Sequence, residues 1–216
     1  MKVLTLVQRA FQVEVPLSVL FEQQTIAALA VYIEQAEKSS QVVIPKAPTA
    51  ADYPLSPAQQ RVYMVTQLEQ SIAYHMPAVV KLRGTLQREK LEGAFEKLIA
   101  RHDMLRTSFH TVKGVPRQRV ASSVPFQIEQ LTGSTMEENM RQFVRPFHLE
   151  QAPLLRVGLQ SLHDQEHLLY FDMHHLISDG LSIDLMLREL SDAYEGLVKA
   201  PLKLQYQDYA VWQEQQ

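Results

Sequence analysis

Two hydrophobic patterns meet near the C-terminal end of the chain. Leu168-Leu169-Tyr170-Phe171 is an unbroken apolar run. Beyond it, apolar residues recur at Ile183, Met186, Leu187, Leu190 and Tyr194. The first pattern predicts a buried strand over 168–173, and the second predicts one face of a helix over 181–197. The polar stretch between them, Met173-His174-His175-Leu176-Ile177-Ser178-Asp179-Gly180, is a strand-to-helix turn, where a rigid sheet edge holds side chains in place.

The same two periods divide the rest of the chain. Leu91, Ala94, Phe95, Leu98 and Ile99 mark the buried stripe of a helix over 86–101. Strands are predicted at 78–82, 115–120, 126–131 and 154–162. His163-Asp164-Gln165-Glu166-His167 forms a hairpin turn between two of the strands. Ser134-x-x-Glu137 reads as a capping box opening a helix with Met136, Met140, Phe143 and Val144 inward, ended by Pro146. Ser56 caps a helix with Pro57 in its first turn and Val62, Val65 and Leu68 facing inward.

Near the start, Val3, Leu6, Val7 and Ala10 share one helical face. Ile26, Leu29, Ala30 and Ile33 share another, with Thr25 as N-cap. The intervening 13–17 and 20–21 suit an extended connection. Ser39 to Asp52, with Pro45 and Pro48, reads as a linker. Pro201 to Gln205 is extended, and Tyr206 to Gln213 closes the chain.

Composition narrows the function. The 216 residues suffice for one sizeable domain or two small ones, with 46% hydrophobic and 21% charged residues, as in ordinary globular proteins. A net charge of -3 gives no basic surface for nucleic acid. The absence of cysteine excludes a disulfide framework, a thiol nucleophile and thiolate metal sites, and is compatible with the cytoplasm. Gln8-Arg9 interrupts the first apolar residues too early for a signal peptide, and no run reaches membrane-spanning length. H-x-x-E-H at 163–167 is a zinc pattern only on a helix, where both rings project from one face; in a hairpin turn it binds no metal.

His174-His175-x-x-x-Asp179-Gly180 carries the chemistry. An imidazole accepts and returns a proton near neutral pH, and a carboxylate four residues on can fix the turn. Taken alone, the pattern also fits two satisfied structural histidines. Asp179 fits an N-cap as well as a salt bridge.

HHxxxDG at 174–180 resembles the signature of the condensation domains of non-ribosomal peptide synthetases. Three further motifs are similar to that family's and come in its order: Leu55 to Tyr63, Arg101 to Phe109 (close to RHExLRTxF, with Asp103 for Glu), and Tyr206 to Trp212 (YxDYAxW). Phe21 to Ile33 resembles the C-terminal part of a peptidyl carrier protein. None of Ser18, Ser39 and Ser40 lies in that family's attachment motif, so no attachment serine is expected.

The resemblance implies an α/β fold, an α+β sandwich of the chloramphenicol-acetyltransferase-like kind. It divides the chain into a carrier remnant at 1–38, a linker at 39–52 and the N-terminal lobe of a condensation domain at 53–216. It implies amide formation between two carrier-bound thioesters, the upstream residue L-configured. His175 would orient or deprotonate the attacking group, His174 would pack inward, Asp179 would fix the loop, and Gly180 would permit close approach. Arg101 and Arg106 would support the fold and channel.

The implied partners are upstream and downstream peptidyl carrier proteins bearing 4′-phosphopantetheine arms, a C-terminal lobe and an adenylation domain. No directly bound cofactor, metal, nucleic acid or membrane is expected. The chain alone would be inactive without its second lobe. The alternatives are a non-catalytic interaction lobe, and an epimerisation or acyltransferase relative using the same histidine.

Overall fold

The computed structural model describes residues 2–36, 43–69 and 72–216. Residues 39–42 of the expected linker lie outside these. The chain divides into two compact units, Met1–Ile44 and Pro45–Gln216.

The small unit holds α1 (Lys2–Phe11), α2 (Leu17–Glu22) and α3 (Ile26–Gln35). Val13, Val15 and Val19 are its buried centre, with Leu4, Val7, Leu29, Tyr32 and Ile33 packed against them. The inward stripe of α1 therefore runs through Leu4 and Val7. Val3 and Leu6 of the expected face are exposed. Two overlapping stripes were available on this helix, and the side from which the valines approach decided between them. Ile26 is likewise turned out, and Tyr32 packs in the centre. Residues 17–22 are helical where an extended connection was expected: Pro16, with φ -57, leads directly into the turn that buries Val19. Thr25 caps α3 as expected, its Oγ1 accepting the Ala28 N–H at 3.2 Å.

The large unit is a mixed α/β structure. Its main sheet has the order β2 (Ala78–Arg83), β7 (Glu166–Met173), β6 (Leu155–His163), β5 (Glu129–Gln130). β2, β7 and β6 pair antiparallel, while β5 joins β6 in parallel. A second sheet has the order β1 (Tyr53–Pro54), β4 (Val115–Val120), β3 (Thr107–Val112). Helices α4 (Pro57–Glu69), α5 (Arg88–Arg101), α6 (Met136–Phe143), α7 (Gly180–Tyr194) and α8 (Tyr206–Glu214) complete it. α5 and α7 pack together, and the α5 stripe from Leu91 to Ile99 is buried as its period predicts. The core continues through Phe109, Leu169, Phe171, Met173, Met186 and Leu190.

Five local expectations change. The 126–131 strand shrinks to two residues, because Phe126 packs beside Phe95 with ring centroids 5.3 Å apart. The α6 cap is Thr135, whose Oγ1 accepts the Glu138 N–H at 3.1 Å, while Glu138 accepts the Ser134 N–H at 2.9 Å. Phe143 turns inward as expected, but with the helix starting one residue later Asn139 joins it and Met136 turns outward. On α4 Gln59 and Tyr63 are buried and Val62 packs against the core as expected, while Leu68 is exposed. α7 ends at Tyr194 rather than 197, with Gly196 in the left-handed region at φ 85 just beyond. Pro45 to Asp52 belongs to the large unit. Asp208 Oδ1 accepts the Ala47 N–H at 2.8 Å, and Asp52 pairs with Arg117 at 2.7 Å.

Candidate functional site

The histidine turn is held by a strap that lengthens the sheet past the end of β2. Met76 N–H donates to Met173 O, and His175 N–H donates to Tyr74 O, each at 2.8 Å. His75 thereby stands opposite His174 in an antiparallel bridge. The turn closes on itself when Ile177 N–H donates to His174 O at 3.0 Å. Backbone bonds on both sides thus fix the two histidines before their side chains are considered.

The rings of the two histidines have opposite surroundings. His174 is 1% exposed. Its Nδ1 accepts the Leu176 N–H at 3.1 Å, so the neutral ring carries its proton on Nε2, which is buried without a hydrogen-bond partner among the described residues. Burial first, then the neighbouring His75 and His175, push its pKa down to about 4. His174 is a neutral, inward-packed ring.

His175 is exposed. Its Nδ1 lies 2.8 Å from Ser178 O. A carbonyl can only accept, so Nδ1 carries the hydrogen and, in the neutral ring, Nε2 carries the lone pair. One backbone carbonyl sets the tautomer that a proton acceptor at Nε2 requires.

Asp179 acts as the N-cap of α7. Its Oδ1 accepts the Ser182 N–H at 2.8 Å and the Ser182 hydroxyl at 2.6 Å. Those hydrogen bonds hold its carboxyl below the usual carboxylate range, with the helix start and His175 adding to the effect. The expected salt bridge has no counterpart among the described residues. Gly180 has no positive φ, and a Cβ built on it meets nothing within 4 Å. Neither backbone conformation nor packing in this chain demands a glycine there.

The four motifs converge on the turn. Gln59, from the first, donates from Nε2 to Leu176 O at 3.1 Å and accepts the Ser56 N–H at 3.1 Å, while Ser56 Oγ accepts the Gln59 N–H at 3.2 Å. This reciprocal capping box extends the expected Ser56 cap. Tyr206, from the fourth, shares a 2.9 Å hydrogen bond with Ser56 Oγ. A cleft of about 230 Å³ beside His175 has Gln59 and Val62 of the first motif, Met104 of the second, Asp179 of the third and Tyr206 of the fourth in its lining.

Arg101 and Arg106 lie outside that lining. Arg101 Nε donates to Glu189 Oε2 at 3.1 Å, and His102 Nε2 meets the same oxygen at 2.6 Å. Burial alone would raise the Glu189 carboxyl, but the His102 hydrogen bond and the charges of His102, Arg101 and Lys199 hold it below its ordinary value. Arg106 pairs with Asp103 at 2.5 Å and donates to the carbonyls of Ile99 and Ala121. Both arginines clamp α5 and the 103–106 turn in place.

Sequence reasoning missed a cluster behind His174. Asp172 is fully buried and accepts from His75 Nδ1 at 2.8 Å and from Arg156 Nη1 at 3.2 Å. His75 stacks on Phe147 with centroids 4.8 Å apart, and the Arg156 guanidinium covers the same ring at 3.8 Å. His75 and His174 also line a cavity of about 360 Å³. The available signal was Asp172 itself, a carboxylate inside the apolar 168–173 run, which cannot be buried without partners.

The 163–167 segment is the β6–β7 hairpin, as its polar pattern predicts, and His167 Nδ1 lies 3.0 Å from Ser161 Oγ. No group of three or more His, Asp or Glu spaced for a metal occurs among the described residues. Among these residues, no helix is long and apolar enough to cross a membrane.

Residues 49–216 match the family model described as Condensation domain. The whole chain is 48% identical over 219 residues to Surfactin synthase subunit 1 of Bacillus subtilis (strain 168), of which it covers 6%. It is 46% identical over 210 residues to Bacitracin synthase 2 of Bacillus licheniformis, with 96% of this chain and 8% of that one aligned. The chain thus spans less than a tenth of these relatives. A solved complex of the X-domain and OxyB from teicoplanin biosynthesis is similar over 82% of this chain and 41% of that one, at 26% identity and TM-score 0.74. The first condensation domain of the CDA synthetase shares the fold over 71% of this chain and 44% of that one, at 22% identity and TM-score 0.64.

Proposed function

This chain belongs to the condensation-domain family, and from that premise we propose that it supplies one wall of a site where two carrier-bound thioesters are joined through an amide bond. The downstream amine attacks the upstream thioester carbonyl, a tetrahedral intermediate forms, and its collapse expels the carrier thiol. The attacking nitrogen loses one proton and the departing sulfur gains one. His175 Nε2 sits where that proton can be taken or the ammonium oriented. The observation that carries this reading is the Nδ1–H to Ser178 O bond, which leaves the exposed Nε2 as the acceptor in the cleft where four motifs meet.

His174, Asp179 and Gly180 serve the same turn from behind, as packing, cap and open approach, and Arg101 and Arg106 support the surrounding frame. The upstream residue is L-configured. Residues 1–38 are the end of a peptidyl carrier protein, the linker is shorter than 39–52 because Pro45 to Asp52 belongs to the large unit, and that unit is an N-terminal lobe whose second half comes from a further segment. That last point rests on the 41% of the solved relative that the chain covers. Upstream and downstream carriers bring the substrates on 4′-phosphopantetheine arms, an adenylation domain loads them, and the lobe holds no cofactor of its own. The assembly works in the cytoplasm.

The test combines this chain with the C-terminal lobe of a condensation domain and two aminoacyl-loaded carrier proteins, and seeks dipeptidyl thioester by mass spectrometry. Product that falls at least about a hundredfold in His175→Ala, with lobe assembly unchanged, is the expected result. No product from a demonstrably assembled pair would sink the reading and favour an interaction lobe instead.

A further inference from the structure

A second pocket adjoins the His175 cleft. It is about 160 Å³ in volume and lies beneath the first turns of α7. Met104, Ile177, Ser182 and Tyr206 line both spaces, so the two share a wall in which the flexible Met104 side chain stands. Away from the cleft the lining is, apart from His102, hydrocarbon and thioether: Leu98, Leu105, Met173, Leu185 and Met186.

Its polar groups are already engaged. The Ser182 hydroxyl donates to Asp179 Oδ1 at 2.6 Å. The Tyr206 hydroxyl is bonded to Ser56 Oγ at 2.9 Å, and His102 Nε2 lies 2.6 Å from Glu189 Oε2. A polar guest would give up its water and find these partners taken, whereas an aliphatic guest forfeits nothing. Three of the lining residues are methionines, whose flexible thioethers adapt to branched hydrocarbon shapes.

We propose that this pocket receives the aliphatic side chain of the aminoacyl group whose reacting atoms lie beside His175, and that Met104 and Leu185 set the size it accepts. The inference rests on the amide-forming reading for the placement of the reacting atoms, and it adds a preference for a branched aliphatic residue of about leucine size over a small or polar one. Leu185 stands at the rim, 47% exposed, so it can be enlarged without disturbing the core.

The test needs no turnover. The methyl groups of Met104, Met173 and Met186 are labelled with carbon-13 in this chain. N-acetyl-leucyl, N-acetyl-alanyl and N-acetyl-glycyl thioesters of N-acetylcysteamine are then titrated in, and methyl shifts are read by NMR. The expected result is saturable shifts at all three methyls, with the leucyl thioester binding roughly tenfold to a hundredfold more tightly than the alanyl. Leu185→Trp is expected to abolish that preference while the glycyl thioester binds as before. A shift at Met104 alone, equal for all three thioesters, would place the ligand in the His175 cleft only. That result overturns the pocket and leaves the amide-forming reading standing. No shift with any thioester overturns the pocket as well, and the dipeptide assay then judges the broader reading by itself.

Discussion

His174 and His175 are neighbours in the sequence and share one turn, yet the spaces on their two sides differ in kind. The His174 side is tightly packed around the ring and charged, with a cavity of about 360 Å³ beside it. A fully buried carboxylate, Asp172, is matched by Arg156 and His75, and an aromatic ring, Phe147, packs against both of these partners. The His175 side is open and its lining is largely apolar, with the ring pinned at one nitrogen and free at the other. The difference teaches how a repeated residue is put to two uses. Strand alternation sends successive side chains to opposite faces, so one histidine becomes part of the frame while the other faces the open cleft. What stabilises the frame and what performs the chemistry should therefore be separable by mutation.

The largest effect on the frame is expected at Asp172. Asp172→Asn keeps the shape but leaves the Arg156 guanidinium without its buried counter-charge. Removing one member of a buried pair costs about 3–5 kcal/mol. Urea denaturation should show the loss directly, whereas His175→Ala, on the open side, should leave the unfolding midpoint nearly unchanged. Equal destabilisation by the two substitutions would collapse the distinction between the sides.

The next effect is a pH dependence that belongs to His174. Its pKa is lowered from 6.5 to about 4 by burial, with His75 and His175 contributing. Between those values the unfolded chain binds a proton that the folded chain refuses, so stability rises with pH across this window and is lost as pH falls through it. The full swing is about 3 kcal/mol, from roughly 1.4 kcal/mol per unit. Asp179 and Glu189, whose carboxyls are held low, add their own losses only as pH falls further, through the carboxylate range. The slope difference between wild type and His174→Gln, from urea midpoints at pH 4 to 7, isolates the histidine. An unchanged slope in the variant would mean that His174 titrates normally and that the side behind it is wet.

Much of this arrangement was legible in the sequence because it rests on local rules. The α5 stripe, the β6–β7 hairpin, the Thr25 cap and the strand–turn–helix around His174 follow from periodicity and capping chemistry. The misplaced pieces are those decided by distant partners. Whether α1 buries Leu4 or Leu6 depends on three valines that arrive from one side. The α6 cap is a local exception, where two adjacent hydroxyls compete and Thr135 is the one that reaches the N–H three residues on. In the site, the turn itself was visible, and so were the four motifs, but not their meeting through Gln59 and Tyr206. The pairing of His75 with Asp172 spans 97 residues, and no spacing rule reaches that far.

The smallest effect on stability is expected at Gly180, and for that reason it says most about the open side. Gly180 begins α7 with no positive φ, and nothing stands within 4 Å of where its Cβ would be. Alanine is a better helix former than glycine by up to about 1 kcal/mol in a helix interior, and less at a first turn. Gly180→Ala should therefore leave thermal stability unchanged or slightly raised. If the residue serves the reaction, its function lies in the space in front of it, where a pantetheine arm or a second lobe would approach, and a methyl group there would obstruct the approach without touching the frame. The expected outcome is a variant as stable as wild type by calorimetry, yet at least about tenfold slower in the reconstituted dipeptide assay. A Gly180→Ala chain with full activity would show that the open side does not use its emptiest position, and would move the point of close approach away from the start of α7 towards Met104 and Tyr206.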